Sequence, residues 1–237
     1  MTDSMEIDYT NQTVIEVDGK KCPVYEFVLK ITDHKFYAQK MIHTVCDNSW
    51  ISALDTISQT AYEKTVERTS EKLKEIFSRQ AFDSQLKDDF GEYMISISSI
   101  MCLVERLSHK EVPLSELWKE KVTGNPGFDF HTISPEIIFA FGEAKYRSNS
   151  NAYSEAAEQV FNFIDLGKDF VDLIHLQNFS QKAAQKLANE KIRSFTVAFS
   201  MHSDNYGTIF NNALGNDFIK KISTHAQELY LIGVKHA

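Results

Sequence analysis

Apolar residues recur at helical spacing through much of the first half of the chain; helices and strands alternate in the second half. Near the start, residues 13–17 and 24–31 are rich in β-branched and aromatic side chains. Asp18-Gly19-Lys20-Lys21 separates them, and Asp-Gly between two such runs predicts a hairpin, because glycine accepts positive φ. Asn48 or Ser49 is placed to cap a helix beginning near Trp50. Ile51, Leu54, Ile57 and Ala61 follow, then Val66, Leu73 and Ile76-Phe77, with charged residues between them. A second helix is expected over 88–107. Tyr93, Ile97, Ile100 or Met101, Val104 and Leu107 form its apolar stripe, and Glu92, Ser96 and Ser99 lie on the side away from it.

Pro113 and the run Gly124-Asn125-Pro126-Gly127 punctuate the connection that follows. The period then becomes extended: Phe128-Asp129-Phe130 reads as a short strand and 137–146 as a central one. Helices are predicted over 151–166, ending at Gly167, and over 170–190. A strand over 194–201, a short helix over 217–226 and a last strand over 229–234 complete the chain. This alternation predicts an α/β domain with a mixed central sheet flanked by helices. No repeat, low-complexity tract or linker divides the 237 residues, so they are read as a single domain, 1–237. Within it, 88–237 carries the core and 1–47 is an N-terminal extension. The pattern leaves open whether the hairpin in that extension joins the sheet or stands apart.

Composition narrows the function. Hydrophobic residues make up 43% of the chain, enough for a sizeable core, which excludes a disordered protein. Lysine plus arginine total 25 against 33 aspartates plus glutamates, a formal charge of -8. That balance argues against a protein that lives by coating nucleic acid, but not against an enzyme that acts on it locally. Cys22, Cys46 and Cys102 are far apart and form no CxxC pair, which argues against a zinc site or a disulfide framework. Cys102 falls within an apolar helix and reads as packing. No apolar run reaches bilayer-spanning length and residues 1–10 lack an apolar signal core, so a cytoplasmic protein without membrane contact is expected.

Candidate chemistry concentrates in residues 128–147. On a strand alternate residues share a face, so Ile137, Phe139, Phe141, Glu143 and Lys145 point one way. Ile138, Ala140, Gly142 and Ala144 point the other, and their small size lets a helix pack closely. Glu143 and Lys145 thus place charges at the edge of a core, which costs desolvation unless they pair or bind an ion. If the short strand pairs with the central one, Asp129 and Glu143 converge. Two carboxylates with the Ala144 carbonyl then make the oxygen-rich site that Mg²⁺ prefers, or Mn²⁺ in its place. Lys145 would stand beside the attacking water and offset phosphate charge. A Glu-x-Lys pair is more often a solvated pair; the aromatic lead-in, Asp129 and Arg147 favour the site. Glu92 reads as a further ligand or as a first-turn glutamate favoured by the helix dipole. His131, the only histidine near this stretch, reads as a loop or strand-end residue. Lys182, Lys186 and Arg193 are the other cations offered to a phosphate beside the sheet.

These residues resemble the PD-(D/E)XK nuclease superfamily. The resemblance lies in Gly91-Glu92, Gly127-Phe128-Asp129, Phe141-Gly142-Glu143-Ala144-Lys145-Tyr146-Arg147 and the amphipathic helix after them. No proline precedes Asp129, a departure from the pattern that names the superfamily. More narrowly the layout is similar to the small nuclease subunits of the Hachiman antiphage defence system. The resemblance implies a restriction-endonuclease-like core and Mg²⁺-dependent hydrolysis of DNA. Asp129 and Glu143 become metal ligands, Glu92 an accessory ligand and Lys145 the catalytic lysine. Gln159, with Phe163 one turn on, resembles the glutamine-aromatic helix of the RecB-like branch, where it would contact substrate or orient Lys145, and it reads equally as an ordinary surface glutamine; Arg147 would contact substrate. It also implies a heterodimer with a superfamily-2-type helicase, which must supply any ATP-driven step, since the chain has no GxxxxGK[ST] loop. Two other readings stand beside this one: a non-catalytic docking subunit with a nuclease-like fold, and a repair or restriction nuclease of the same superfamily.

Overall fold

The computed structural model describes residues 5–80, 87–119 and 127–236. Gly124, Asn125 and Pro126 of the predicted loop lie outside the described residues. The hairpin is present and longer than its apolar runs suggest. Strands β1 (Met5–Val17) and β2 (Lys20–Ile31) pair antiparallel from Val17↔Lys20 outward. Asp18 and Gly19 both take positive φ, 50° and 77°, which matches the twist of the two strands. Helix α1 (His34–Cys46), absent from the sequence expectation, follows, its first turn capped by the Asp33 carboxylate.

The expected helix start near Trp50 is corrected. Ser49–Ala53 forms only a turn of 3-10 helix, and α2 (Thr56–Gln80) begins where Asp55 accepts from the Ile57 and Ser58 amides. The buried stripe of α2 is Tyr62, Val66, Leu73 and Phe77, whereas Ile57 is 83% exposed. Helix α3 (Asp88–Leu107) occupies the predicted span. Ser96 and Ser99, expected to face away from its apolar side, are buried, and Ser99 satisfies its hydroxyl by donating back to the Ile95 carbonyl. Short elements β3 (Lys110–Glu111) and α4 (Ser115–Trp118) lead to β4 (Phe130–Ile133) and β5 (Phe139–Lys145). The strand expected from residue 137 starts later, because Ile137 and Ile138 belong to the turn closed on Ser134, with Ile137 at φ 58°.

After β5 comes α5 (Tyr153–Asp165). The single helix expected over 170–190 is instead three: α6 (Lys168–Val171), α7 (Leu173–Leu176) and α8 (Gln181–Glu190). The break has a local cause. Asp169 and Asp172 turn inward to buried cations, and the Ser180 side chain starts a new helix by capping Ala183. Strand β6 (Ser194–Ser200), the unexpected α9 (Tyr206–Gly215), α10 (Asp217–His225) and β7 (Leu229–His236) complete the chain.

The seven strands form one mixed sheet in the order β1-β2-β7-β6-β5-β4-β3. Strands β2, β7, β6 and β5 run parallel; β1 at one edge and β4 and β3 at the other run antiparallel. The hairpin therefore extends the sheet rather than standing apart from it. Helix α3 covers the face bearing Tyr146, and α5 covers the face bearing Phe141. Cys102 is buried, as expected for packing, and so is Cys22. Among the described residues no helix is long and apolar enough to cross a membrane.

One buried histidine makes this fold acid-sensitive. His109 is 4% exposed, shares a hydrogen bond of 2.9 Å with Thr132 Oγ1 and meets the Tyr230 ring edge-on. Burial lowers its pKa from 6.5 to about 4. Between those values the unfolded chain takes up a proton that the folded chain refuses, so stability falls as pH drops through that window. The full cost is about 3 kcal/mol at roughly 1.4 kcal/mol per pH unit. Urea midpoints at pH 7 and pH 4.5 should show a smaller acid loss in His109→Gln than in the wild type. An equal loss would show that His109 does not govern the acid response.

Candidate active site

The antiparallel register of β4 and β5 brings the predicted carboxylates together. Phe130 pairs with Gly142 and His131 with Phe141. Asp129 lies in a bend just before β4, not in the short strand expected over 128–130, and its charge is near enough to act on Glu143. Asp129 donates its amide to the Gly142 carbonyl at 2.9 Å and accepts the Ala144 amide on Oδ2 at 3.0 Å. Its carboxylate is thereby tied to the Glu-x-Lys strand.

Glu143 is 1% exposed. Its Oε1 accepts from Lys145 Nζ at 2.7 Å, while its Oε2 is buried without a hydrogen-bond partner among the described residues. Burial raises its pKa well above the usual carboxylate range, and Asp129 pushes it further, against the opposing pull of Lys145. For Lys145, burial would lower the pKa, but Glu143, Glu92 and Asp129 outweigh that and hold it above its usual value. Lys145 therefore remains an ammonium. Glu92 of α3 lies 3.7 Å from it, which places this glutamate at the lysine. A Cβ at Gly91 would sit 2.3 Å from the Tyr146 ring, so the glycine beside Glu92 is what lets α3 close onto the strand end.

Lys145 borders a cleft of about 360 Å³ lined also by Glu92, Arg147, Glu155, Gln159 and neighbouring residues of α5, whereas Glu143 is buried beside it and outside the lining. The structure gathers the six residues of the proposed site at this end of β5: Glu92, Lys145, Arg147 and Gln159 line the cleft, Glu143 is buried against Lys145, and Asp129 is tied to the Ala144 amide. Gln159 is half-buried, and Phe163 one turn on is buried against Phe128. Arg147 is held by Glu155 through Nε and Nη2, in the two-point geometry guanidinium offers to a carboxylate or a phosphate. Glu155 is not among the residues singled out from sequence, although its i, i+4 spacing to Gln159 puts both on one helix face.

A cation fits this chemistry. Glu143 presents a buried carboxylate oxygen without a hydrogen-bond partner among the described residues, near the second carboxylate of Asp129. Among the described residues no three His, Cys, Asp or Glu side chains are gathered as a ready-made metal cluster. Lys145 takes one Glu143 oxygen and Asp129 spends one on the Ala144 amide.

Behind Asp129 lies a buried charged network of which the sequence pattern gives no sign. His131, expected at a strand end or loop, is fully buried on β4 within 3.3 Å of Asp172 and 3.2 Å of Ser115 Oγ. Burial lowers the His131 pKa against the pull of Asp172. Burial alone would raise the Asp172 pKa, but His131 and Lys119 outweigh it and hold the carboxyl below its usual range. Lys119 binds both Asp172 oxygens, at 3.2 and 3.1 Å. Arg193, offered as a phosphate contact, is instead 6% exposed and paired with Asp169 at 2.8 Å, so it faces the interior. Compared with known proteins, the chain matches no family model and no curated protein.

Proposed function

We propose that this chain is a Mg²⁺-dependent deoxyribonuclease of the PD-(D/E)XK type. The observation that carries this reading is the buried Glu143 carboxylate, half satisfied by Lys145 and near enough to Asp129 for its charge to be felt, next to an open polar cleft that Lys145 lines. A buried carboxylate with an unsatisfied oxygen is costly in a protein that only folds or docks, and is useful where a cation completes it. Asp129, Glu143 and the Ala144 carbonyl would hold the ion, which supplies positive charge against the phosphodiester and activates water for attack. Lys145 keeps its proton and presents an ammonium where negative charge grows on the phosphate. Arg147 and Gln159 line the path by which a phosphate backbone would enter. The neighbouring Glu92 and Glu155 keep the unloaded cleft from being a strong anion trap.

The role as effector of a two-protein antiphage system, acting in the cytoplasm with a helicase, rests on resemblance alone. The charge of -8 agrees with it, because a nuclease with little backbone affinity of its own needs delivery to DNA. Purified protein with Mg²⁺ and plasmid or linear DNA is expected to cut at low salt and to slow steeply as salt rises. Glu143→Ala and Lys145→Ala should each reduce cutting by about 10²–10³-fold or more, the cost of losing one preorganised electrostatic group. Undiminished cutting in both variants would refute the assignment.

A further inference from the structure

We propose that Lys119 is a positioning residue that sets where the Asp129 carboxylate points. The Asp129 side chain is held at Oδ2 by the Ala144 amide, and the backbone that carries it is fixed on both sides. Lys119 Nζ donates to the Phe128 carbonyl at 3.2 Å, and the Ser115 amide donates to the Asp129 carbonyl at 3.2 Å. Both donors come from α4 or the residue just after it. The ammonium itself is aimed by the two Asp172 oxygens, and Asp172 is in turn within 3.3 Å of His131, two residues beyond Asp129. The chain of contacts thus leaves the 127–131 segment through Lys119 and returns to it through His131.

Gly127 belongs to the same device. A Cβ built there would lie 2.7 Å from Lys119 Nζ, so a side chain at this position must push the ammonium from its place at the Phe128 carbonyl. The three residues of Gly127-Phe128-Asp129 then act differently. Gly127 admits the ammonium, Phe128 anchors the segment among aromatic rings, and Asp129 accepts the Ala144 amide. This placement holds whatever the cleft does. Its consequence for metal affinity rests on the nuclease reading, and the test separates the two.

The Ala144 amide reports the Asp129 carboxylate directly, through its ¹H–¹⁵N resonance assigned by selective labelling. Asp129→Ala defines where that resonance lies when the bond is lost. Lys119→Met/Asp172→Asn removes both charges together, so neither is stranded, and should carry the Ala144 resonance toward the Asp129→Ala position. Gly127→Ala displaces only the flexible end of Lys119 and should produce the same shift with little change in melting temperature. Added to the double variant it should do nothing further, since the ammonium is already gone. Mn²⁺ affinity, read by calorimetry, should fall about 10–100-fold in the same variants, the usual loss when a residue supporting a ligand is removed. An Ala144 resonance unmoved in both Gly127→Ala and the charge-balanced variant, while Asp129→Ala moves it, would overturn the proposal. Mn²⁺ binding insensitive to Asp129→Ala would overturn the nuclease reading and leave the positioning role standing.

Discussion

Glu143→Gln is expected to make the metal-free protein more stable while abolishing its cleavage of DNA. Glu143 is buried beside Asp129, and burial and that neighbour raise its pKa far above the usual carboxylate value. The sign follows from linkage. A carboxyl with a raised folded pKa contributes stability below its unfolded pKa and loses it as pH rises through the folded value. At neutral pH and above, the wild type therefore carries a cost that glutamine does not. Removing one partner of a buried ion pair usually strands the other. Here it does not: Lys145 keeps Glu92 at 3.7 Å and Asp129 nearby, and its side chain is 16% exposed. The gain should be about 1–2 kcal/mol, at the low end for replacing a buried ion pair, and should widen with pH. Thermal melts at pH 6 and pH 9 read it directly. A Glu143→Gln protein less stable than wild type at both values would show that the ion pair, not the waiting carboxylate, governs this site.

Phe128→Ala should be the most damaging single change near the site. The Phe128 ring is fully buried, with the rings of Phe141 and Phe163 at 5.1 and 5.2 Å and those of Phe195 and His131 at 6.0 and 6.3 Å. These neighbours come from β5, α5, β6 and β4, so no single element can relax to fill the void. A phenylalanine-to-alanine cavity of this kind costs about 3–5 kcal/mol. For a domain of this size that is roughly a 10 °C fall in melting temperature. Because Phe128 adjoins Asp129, the loss should also weaken metal binding, and the two effects should appear together. A fall of only about 3 °C, the equivalent of roughly 1 kcal/mol, would mean that the aromatic cluster closes over the gap.

Those aromatic contacts also mark where sequence pattern reaches and where it stops. Period-2 alternation along β5 puts Phe141, Glu143 and Lys145 on one face, and Asp129 joins them from the bend before β4, where its carboxylate accepts the Ala144 amide. Helix α3 is legible end to end, because Asp88 and Asp89 mark its first turn and its apolar stripe runs through to Leu107. The span 170–190 is not, because Asp169 and Asp172 look like solvated helix positions until the buried Arg193, Lys119 and His131 are seen across from them. Ser96 and Ser99 mislead for the opposite reason: small hydroxyls bury freely in a helix by bonding to the preceding turn, as Ser99 does to Ile95. The start of α2 is hidden because Trp50, Ile51 and Leu54 pack from a 3-10 turn, while Asp55 rather than Ser49 holds the capping position. Short-range pattern thus finds the residues of the cleft. The network supporting them is assembled from segments far apart in the chain, and spacing carries no trace of it.

Whether Asp129 and Glu143 form a cation site is tested most directly by melting temperature against Mn²⁺ concentration. Without metal, Glu143→Gln should melt above the wild type. With saturating Mn²⁺ the order should reverse, because only the wild type gains, by about 2.7 kcal/mol at a hundred times Kd. Asp129→Ala should gain nothing either. A wild-type curve that does not move with Mn²⁺, or equal gains in all three proteins, would contradict a cation site at these two carboxylates.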